Sequence, residues 1–190
     1  FVPISFPDYA EPSSALVKMY LSGELSTTAE GVNPYASSSF YAVDRYASYK
    51  KYWEKDYKAD KLIIASRYVS SNMIHQTSKL PHDEWDSFIE WICDYEYRKL
   101  ELPEPDLVIF LDMPVEISQN LLTQRYNGNE KKKDIHEANV EYLKHCRETA
   151  MYTAKKRNWT VITCGAGGKP FPERSIADMI DRAIEKIISP

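Results

Sequence analysis

Three short runs constrain this chain more than anything else in it: Leu62-Ile63-Ile64-Ala65, Leu107-Val108-Ile109-Phe110-Leu111 and Val161-Ile162-Thr163. Each is apolar at consecutive positions and rich in β-branched side chains. A strand with one face in water alternates apolar and polar residues, whereas a run apolar on both faces belongs to a buried strand of a parallel sheet covered by helices. Phe1 to Phe6 is a weaker fourth strand candidate, ended by Pro7, which has no N–H to give a ladder. Helical patterns fill the intervals. Asn33-Pro34 reads as an N-cap and first helical position, and that helix runs on through Tyr41, Arg45 and Tyr49. Asp83 to Lys99 carries Trp85, Phe88, Ile89 and Ile92 at helical spacing. Pro114 opens a third helix, with Ile117, Leu121 and Leu122 inward, and Glu137 to Lys155 forms a fourth. The last starts at Ser175, with Asp178 three residues on as a near capping box. Strands alternating with helices predict an α/β doubly wound sheet in one domain spanning residues 1–190. Asn127 to Lys133 is polar, contains glycine and lacks apolar anchors, so it reads as a mobile loop.

Bulk properties narrow the function. At 190 residues, 43% hydrophobic and 27% charged, the chain suits one globular domain and not a disordered segment. A net charge of -4 argues against coating a nucleic acid, which needs a basic excess, but leaves room for a small anion held by a few arginines. No apolar run approaches the roughly 20 residues a bilayer requires, so no membrane partner is expected. Phe1-Val2-Pro3-Ile4-Ser5 has neither the basic start nor the long apolar stretch of a signal peptide. Cys93, Cys146 and Cys164 are odd in number and far apart, forming neither a metal pair nor a disulfide framework, which fits a reducing cytoplasm.

Four stretches carry candidate chemistry. Phe6-Pro7-Asp8-Tyr9 follows the first strand candidate. In the helix from Asn33, Tyr41 and Arg45 are four apart and share a face. A ring beside a guanidinium can stack on a base and donate to its edge; on spacing alone, an amphipathic helix with a salt-bridged arginine is an equal reading. Ser66-Arg67-Tyr68-Val69-Ser70-Ser71-Asn72-Met73-Ile74-His75-Gln76 begins where the Leu62 strand ends. Ligands of open α/β sheets bind beyond the carboxyl ends of strands, so Arg67 and the short polar residues after it are placed to hold a phosphate and a base. The fourth stretch is Leu111-Asp112-Met113-Pro114, whose helix delivers Arg125 to the basic loop. A mobile basic loop closing over phosphates suits phosphoryl transfer, where catalysis is positioning plus charge stabilisation. Lys131, Lys132 and Lys133, taken singly, read better as a solvated charge run.

In this order and spacing, the stretches resemble the thymidylate kinase family over nearly the whole chain. Phe6-Pro7 matches its F/E-P turn, Phe40 to Arg45 its thymine-stacking helix, and Ser66-Arg67-Tyr68 with Ser71 its D-R-Y/H-x-x-S. Pro105-Asp106-Leu107 through Leu111-Asp112 resembles P-D-L-x-x-x-L-D, and Asp134-Ile135-His136-Glu137 is similar to the end of its lid. Asn33 to Ser48 and Arg67 to Gln76 look most like the variant of clostridia and related anaerobes. The resemblance implies a P-loop NTPase-like three-layer α/β/α fold with a parallel sheet of order 2-3-1-4-5. It implies transfer of the γ-phosphate of ATP to dTMP, with Mg²⁺, to give dTDP, by a cytoplasmic homodimer. Tyr41 would stack on thymine and Arg45 donate to a base carbonyl. Ser71, Asn72 and Gln76 would complete the base and sugar contacts, with His75 against the deoxyribose. Arg67 would hold the acceptor phosphate near Phe6, Pro7 and Tyr9. Within the lid at 126–136, Lys131 would join Arg125 on the transferred phosphoryl group, and His136 would face the substrate. Cys164, Gly165 and Ala166 would border the adenine. The metal ligands stay unassigned.

Departures from the family pattern keep two rivals open: a degenerate kinase that binds only a nucleotide or a partner, and a kinase for another nucleotide or a deoxynucleoside. No glycine precedes Gly23, so these residues lack the first strand and its Gly-rich phosphate loop ending in Gly-Lys-Ser/Thr. On that ground the chain as given is expected neither to bind ATP tightly nor to transfer phosphate. The strands at Leu62 and Leu107, neighbours of the absent strand, are expected not to pair with each other. Ser66 stands where the family usually has aspartate, Tyr9 where some members have a phosphate-binding arginine, and His75 where Tyr or Phe is usual. Phe171-Pro172-Glu173-Arg174-Ser175 copies a family phosphate-site string, but its place before the last helix marks it as a helix start.

Overall fold

A computed structural model describes residues 1–129 and 139–188. Two compact units divide the chain, Phe1–Glu104 and Pro105–Pro190.

In the first unit, strands β1 (Val2–Ser5) and β2 (Ile63–Ser66) form a parallel pair in the register Val2↔Ile63 to Ser5↔Ser66. Between them run α1 (Ala15–Leu21), α2 (Pro34–Ser48) and α3 (Glu54–Lys58). The start of α2 is the one its sequence dictates: Pro34 occupies the first turn and the Asn33 side chain accepts from the N–H groups of Tyr35 and Ala36. Past Ser48 the chain continues as a π-helical segment, Tyr49–Trp53, that buries both of its end rings. After β2 come α4 (Val69–His75) and α5 (Trp85–Ile92), and α5 also runs into a π-helical segment, Cys93–Lys99. The core gathers Val17, Tyr20, Ala42, Trp53, Val69, Met73, Phe88, Ile89 and Ile92.

In the second unit β3 (Ile109–Asp112) and β4 (Thr160–Thr163) form another parallel pair, Ile109↔Thr160 to Asp112↔Thr163. They are connected through α6 (Val115–Arg125) and α7 (Val140–Lys156), the latter capped by the Asn139 side chain. A small antiparallel hairpin, β5 (Gly165–Ala166) with β6 (Lys169–Pro170), leads into α8 (Glu173–Ile188). Ile117, Tyr142, Cys146, Ala150, Ala154 and Ile162 supply its core.

Parallel pairing is as the sequence predicts, and both pairs are contained in the order 2-3-1-4-5. Among the described residues there are three two-stranded sheets, β1–β2, β3–β4 and β5–β6. The expected burial of the runs needs correction. Leu62, Ile64, Leu111 and Val161 are all exposed, between 37% and 47%. A two-stranded ladder leaves much of each strand's surface uncovered, so runs composed for a sheet interior meet solvent here. The last helix also begins earlier than predicted, at Glu173 and not Ser175, because Pro172 already accepts from the Ser175 N–H. Lys131 and His136 lie outside the described residues, as does most of the lid.

Candidate functional site

The candidate site of the first unit is built where β2 ends. Ser66 is the last residue of the strand, and its carbonyl accepts from the Phe6 N–H at 3.1 Å. Arg67 then takes a left-handed backbone, φ 63, which for a residue with a Cβ costs roughly 1 kcal/mol or more. That bend sends the chain from strand into α4 and leaves Arg67 exposed at the helix start. Ser71 and His75, four apart, share one face of α4, and Arg67, two residues before the helix, reaches over that face. The Arg67 Nε donates to Ser71 Oγ at 3.3 Å, and its Nη2 lies 2.8 Å from His75 Nε2.

The opposite face of α4 is buried and faces α2 and the π-helical segment after α5. Arg45 and Glu96, each 1% exposed or less, form a bidentate pair: Nε to Oε2 and Nη2 to Oε1, both at 2.7 Å. Arg45 Nη1 leans toward the Tyr68 carbonyl at 3.5 Å. Asn72 joins the same carboxylate, its Nδ2 donating to Glu96 Oε1 at 2.9 Å and to the Ser38 carbonyl at 3.1 Å. Gln76, also buried, accepts from Ser37 Oγ at 2.7 Å. Tyr41 is half-buried, its ring edge-on to that of Tyr20. The structure thus brings Arg67, Ser71 and His75 together as one accessible row and Arg45 and Asn72 as a buried group. The salt-bridged arginine that spacing alone allowed is present.

The turn after β1 is tied to α2 by a residue the sequence did not single out. Buried Asp44 accepts from the Asp8 N–H at 2.8 Å and from Ser13 Oγ at 2.6 Å. Phe6 is a core residue, 4% exposed, with its ring near that of Tyr68; Tyr9 is exposed. Burial pushes the Tyr68 hydroxyl well above its usual range, and it donates to the Pro103 carbonyl. Glu96 was the other omission. Its signal was there: it falls four residues after Ile92 and seven after Ile89, a carboxylate on the apolar face of its helix.

In the second unit, Arg125 ends α6, exposed, with its guanidinium 5.7 Å from the Tyr126 ring centre. Cys164 is buried, and burial together with the nearby Asp112 charge raises its thiol pKa. Gly165 is required where it stands: a Cβ there would come within 2.8 Å of the Lys169 carbonyl and 2.9 Å of Ile117 Cδ1. Asp112 itself is held by Arg147 of α7 through two bonds of 2.6 and 2.8 Å, which raise the guanidinium pKa further. Phe171 to Ser175 does lead into α8, with Arg174 paired to Asp178 on the exposed helix surface. Among the described residues no three His, Cys, Asp or Glu side chains converge as a metal site.

Residues 7–167 match the family model for thymidylate kinase. The chain belongs to the thymidylate kinase family. Among curated relatives, a probable thymidylate kinase of Caldivirga maquilingensis is 27% identical over 154 residues, covering 80% of this chain and 68% of that one. Another from Pyrobaculum aerophilum is 25% identical over 171 residues, covering 90% and 79%. The solved thymidylate kinase of Candida albicans superposes with a TM-score of 0.64 at 16% identity, over 97% of this chain and 79% of that one. The parallel pairs β1–β2 and β3–β4 are therefore parts of the P-loop NTPase fold of thymidylate kinases.

Proposed function

We propose that this protein is a dTMP kinase, transferring the γ-phosphate of ATP to dTMP to give dTDP. The observation that carries the proposal is the row on α4. Arg67 is exposed at the carboxyl end of a parallel strand, and its two hydrogen-bond partners, Ser71 and His75, balance none of its charge while the imidazole is neutral. A guanidinium so placed is suited to the acceptor phosphate, which it can grip with two parallel bonds. Beneath the row lie Arg45 and Asn72, and half-buried Tyr41 supplies a ring for the thymine. His75 lies against the deoxyribose. Arg125 and Lys131 bring positive charge to the transferred phosphoryl group, where it stabilises the transition state. Cys164, Gly165 and Ala166 border the adenine. ATP is delivered with Mg²⁺, and the enzyme works in the cytoplasm. Val43 and Tyr46, both more than 40% exposed on α2, support a homodimer built on that helix.

Calorimetric titration of dTMP into the full chain tests the acceptor site. dTMP is expected to bind, and Tyr41→Ala to lose about 1–3 kcal/mol of stacking. Equal affinity in the variant removes Tyr41 from the site, and no binding by the unaltered protein overturns the proposal.

A further inference from the structure

Asp44 is a buried carboxylate to which the proposed reaction gives no task. It lies on α2 at 1% exposure, and each of its oxygens takes one donor from the loop after β1. Oδ2 accepts from the Asp8 N–H at 2.8 Å and Oδ1 from Ser13 Oγ at 2.6 Å. Both donors are neutral, and among the described residues no cation pairs with Asp44. Burying a carboxylate on neutral donors is costly, so stability is a poor reason for its place. The same loop is held a second time from outside. Glu11 accepts from Lys51 Nζ at 2.7 Å and from the Tyr52 hydroxyl, both on the π-helical segment that continues α2. That outer fastening is exposed and returns little in water. The inner one, at Asp44, fixes where the loop lies.

The loop matters because of its neighbour. β1 and β2 run parallel with Ser5 opposite Ser66, so the chain leaves the two strands side by side. One exit is Arg67. The other is Pro7-Asp8-Tyr9, reached through Phe6, whose N–H donates to the Ser66 carbonyl and whose ring lies 6.0 Å from that of Tyr68. Tyr9, 53% exposed, directly follows the residue whose N–H Asp44 holds. Given that Arg67 takes the acceptor phosphate, as proposed above, we infer that Asp44 is a positioning residue for the phosphate end of the acceptor. By holding Asp8 and Ser13 it keeps the turn that carries Tyr9 beside Arg67, and it does so from beneath, without reaching the ligand. A loop already fixed on folding has less freedom left to lose on binding. The role needs hydrogen bonds and not charge. An amide in the same place could accept the Asp8 N–H through Oδ1 and donate through Nδ2 to the Ser13 oxygen, since a hydroxyl both donates and accepts.

The test is calorimetric titration of dTMP and of thymidine into the full chain, because thymidine carries the base and sugar without the phosphate. In Asp44→Ala the affinity for dTMP is expected to fall by about tenfold, the loss of bonds to a charged acceptor, while that for thymidine holds. Asp44→Asn is expected to restore the dTMP value. A merely structural role would weaken both ligands together and leave their ratio alone; that result, in a variant shown folded by its thermal transition, overturns the inference. So does a loss in Asp44→Asn as large as in Asp44→Ala. Ser13→Ala carries the test if Asp44→Ala does not fold. It opens one bond of the two, and the dTMP-to-thymidine ratio is expected to fall by about threefold, with an unchanged ratio again overturning the inference. An unaltered protein that binds dTMP no better than thymidine has no phosphate end to position, which also overturns it. Failure of the unaltered protein to bind dTMP at all overturns the acceptor-site reading itself, and this one with it.

Discussion

Two arginines flank α4, and the helix treats them oppositely. Arg45 is sealed against Glu96, both at 1% exposure or less, with its orientation fixed by a bidentate pair. Arg67 is exposed, sits on a strained backbone, and among the described residues is steadied by a hydroxyl and an imidazole. A buried ion pair returns little net stability but punishes the loss of either partner; a neutral partner holds a charge in place without cancelling it. The first arrangement suits a group that must keep one orientation, the second a group that must still attract an anion.

The contrast can be broken most severely at Glu96. Glu96→Ala strands a buried guanidinium and is expected to cost about 3–5 kcal/mol, measurable by denaturant unfolding. Replacing both partners, Arg45→Met with Glu96→Leu, is expected to recover most of that loss, since no charge is left unpaired. If the double variant is no more stable than Glu96→Ala, the pair is not what the penalty reports. Arg67→Gly should separate binding from folding: dTMP affinity falls by about 1.5–3 kcal/mol with the lost charge-assisted bonds. Stability instead rises by roughly 1 kcal/mol as the left-handed backbone is relieved. A fall in both would assign Arg67 to the architecture. The smallest effect is expected at His75. Phe keeps the ring but loses the acceptor for Arg67, which should weaken dTMP by about 1 kcal/mol. Gln, whose carbonyl can reach the place of Nε2, should restore it; equal losses in the two variants would show that ring packing, not the bond to Arg67, is what matters.

Arg67 was legible because it follows a run that reads as a strand, and ligands of open α/β sheets bind beyond strand ends; Ser71 and His75 were singled out through the family resemblance. The capped start of α2 was readable from its local sequence alone. Glu96 was hidden by its company, one charge at the end of an apolar stripe whose purpose depends on Arg45, 51 residues away in the chain. Asp44 was passed over likewise, since nothing near it in sequence reveals that the Asp8 N–H needs an acceptor. The β5–β6 hairpin went unread because two-residue strands carry no periodicity. The exposure of Ile64 and Leu111 could not be read from their runs, because composition reports the environment a strand is made for and not the cover it has.

The π-helical winding of Cys93–Lys99 has a consequence for how this protein can change over generations. Leu100 N–H reaches back five residues to Tyr95, where an α-helix would reach four. The bearing of the Glu96 side chain is therefore set by a local excess of chain length as well as by the residue's identity. Each residue of an α-helix turns the chain by about 100°. Deleting one residue between Cys93 and Glu96 would swing whatever follows onto a different compass point, so that a glutamate still present in the gene would face away from Arg45. Point substitutions elsewhere on this helix can accumulate gradually. A change in its length ahead of Glu96 would leave the guanidinium of Arg45 without the carboxylate it is paired with.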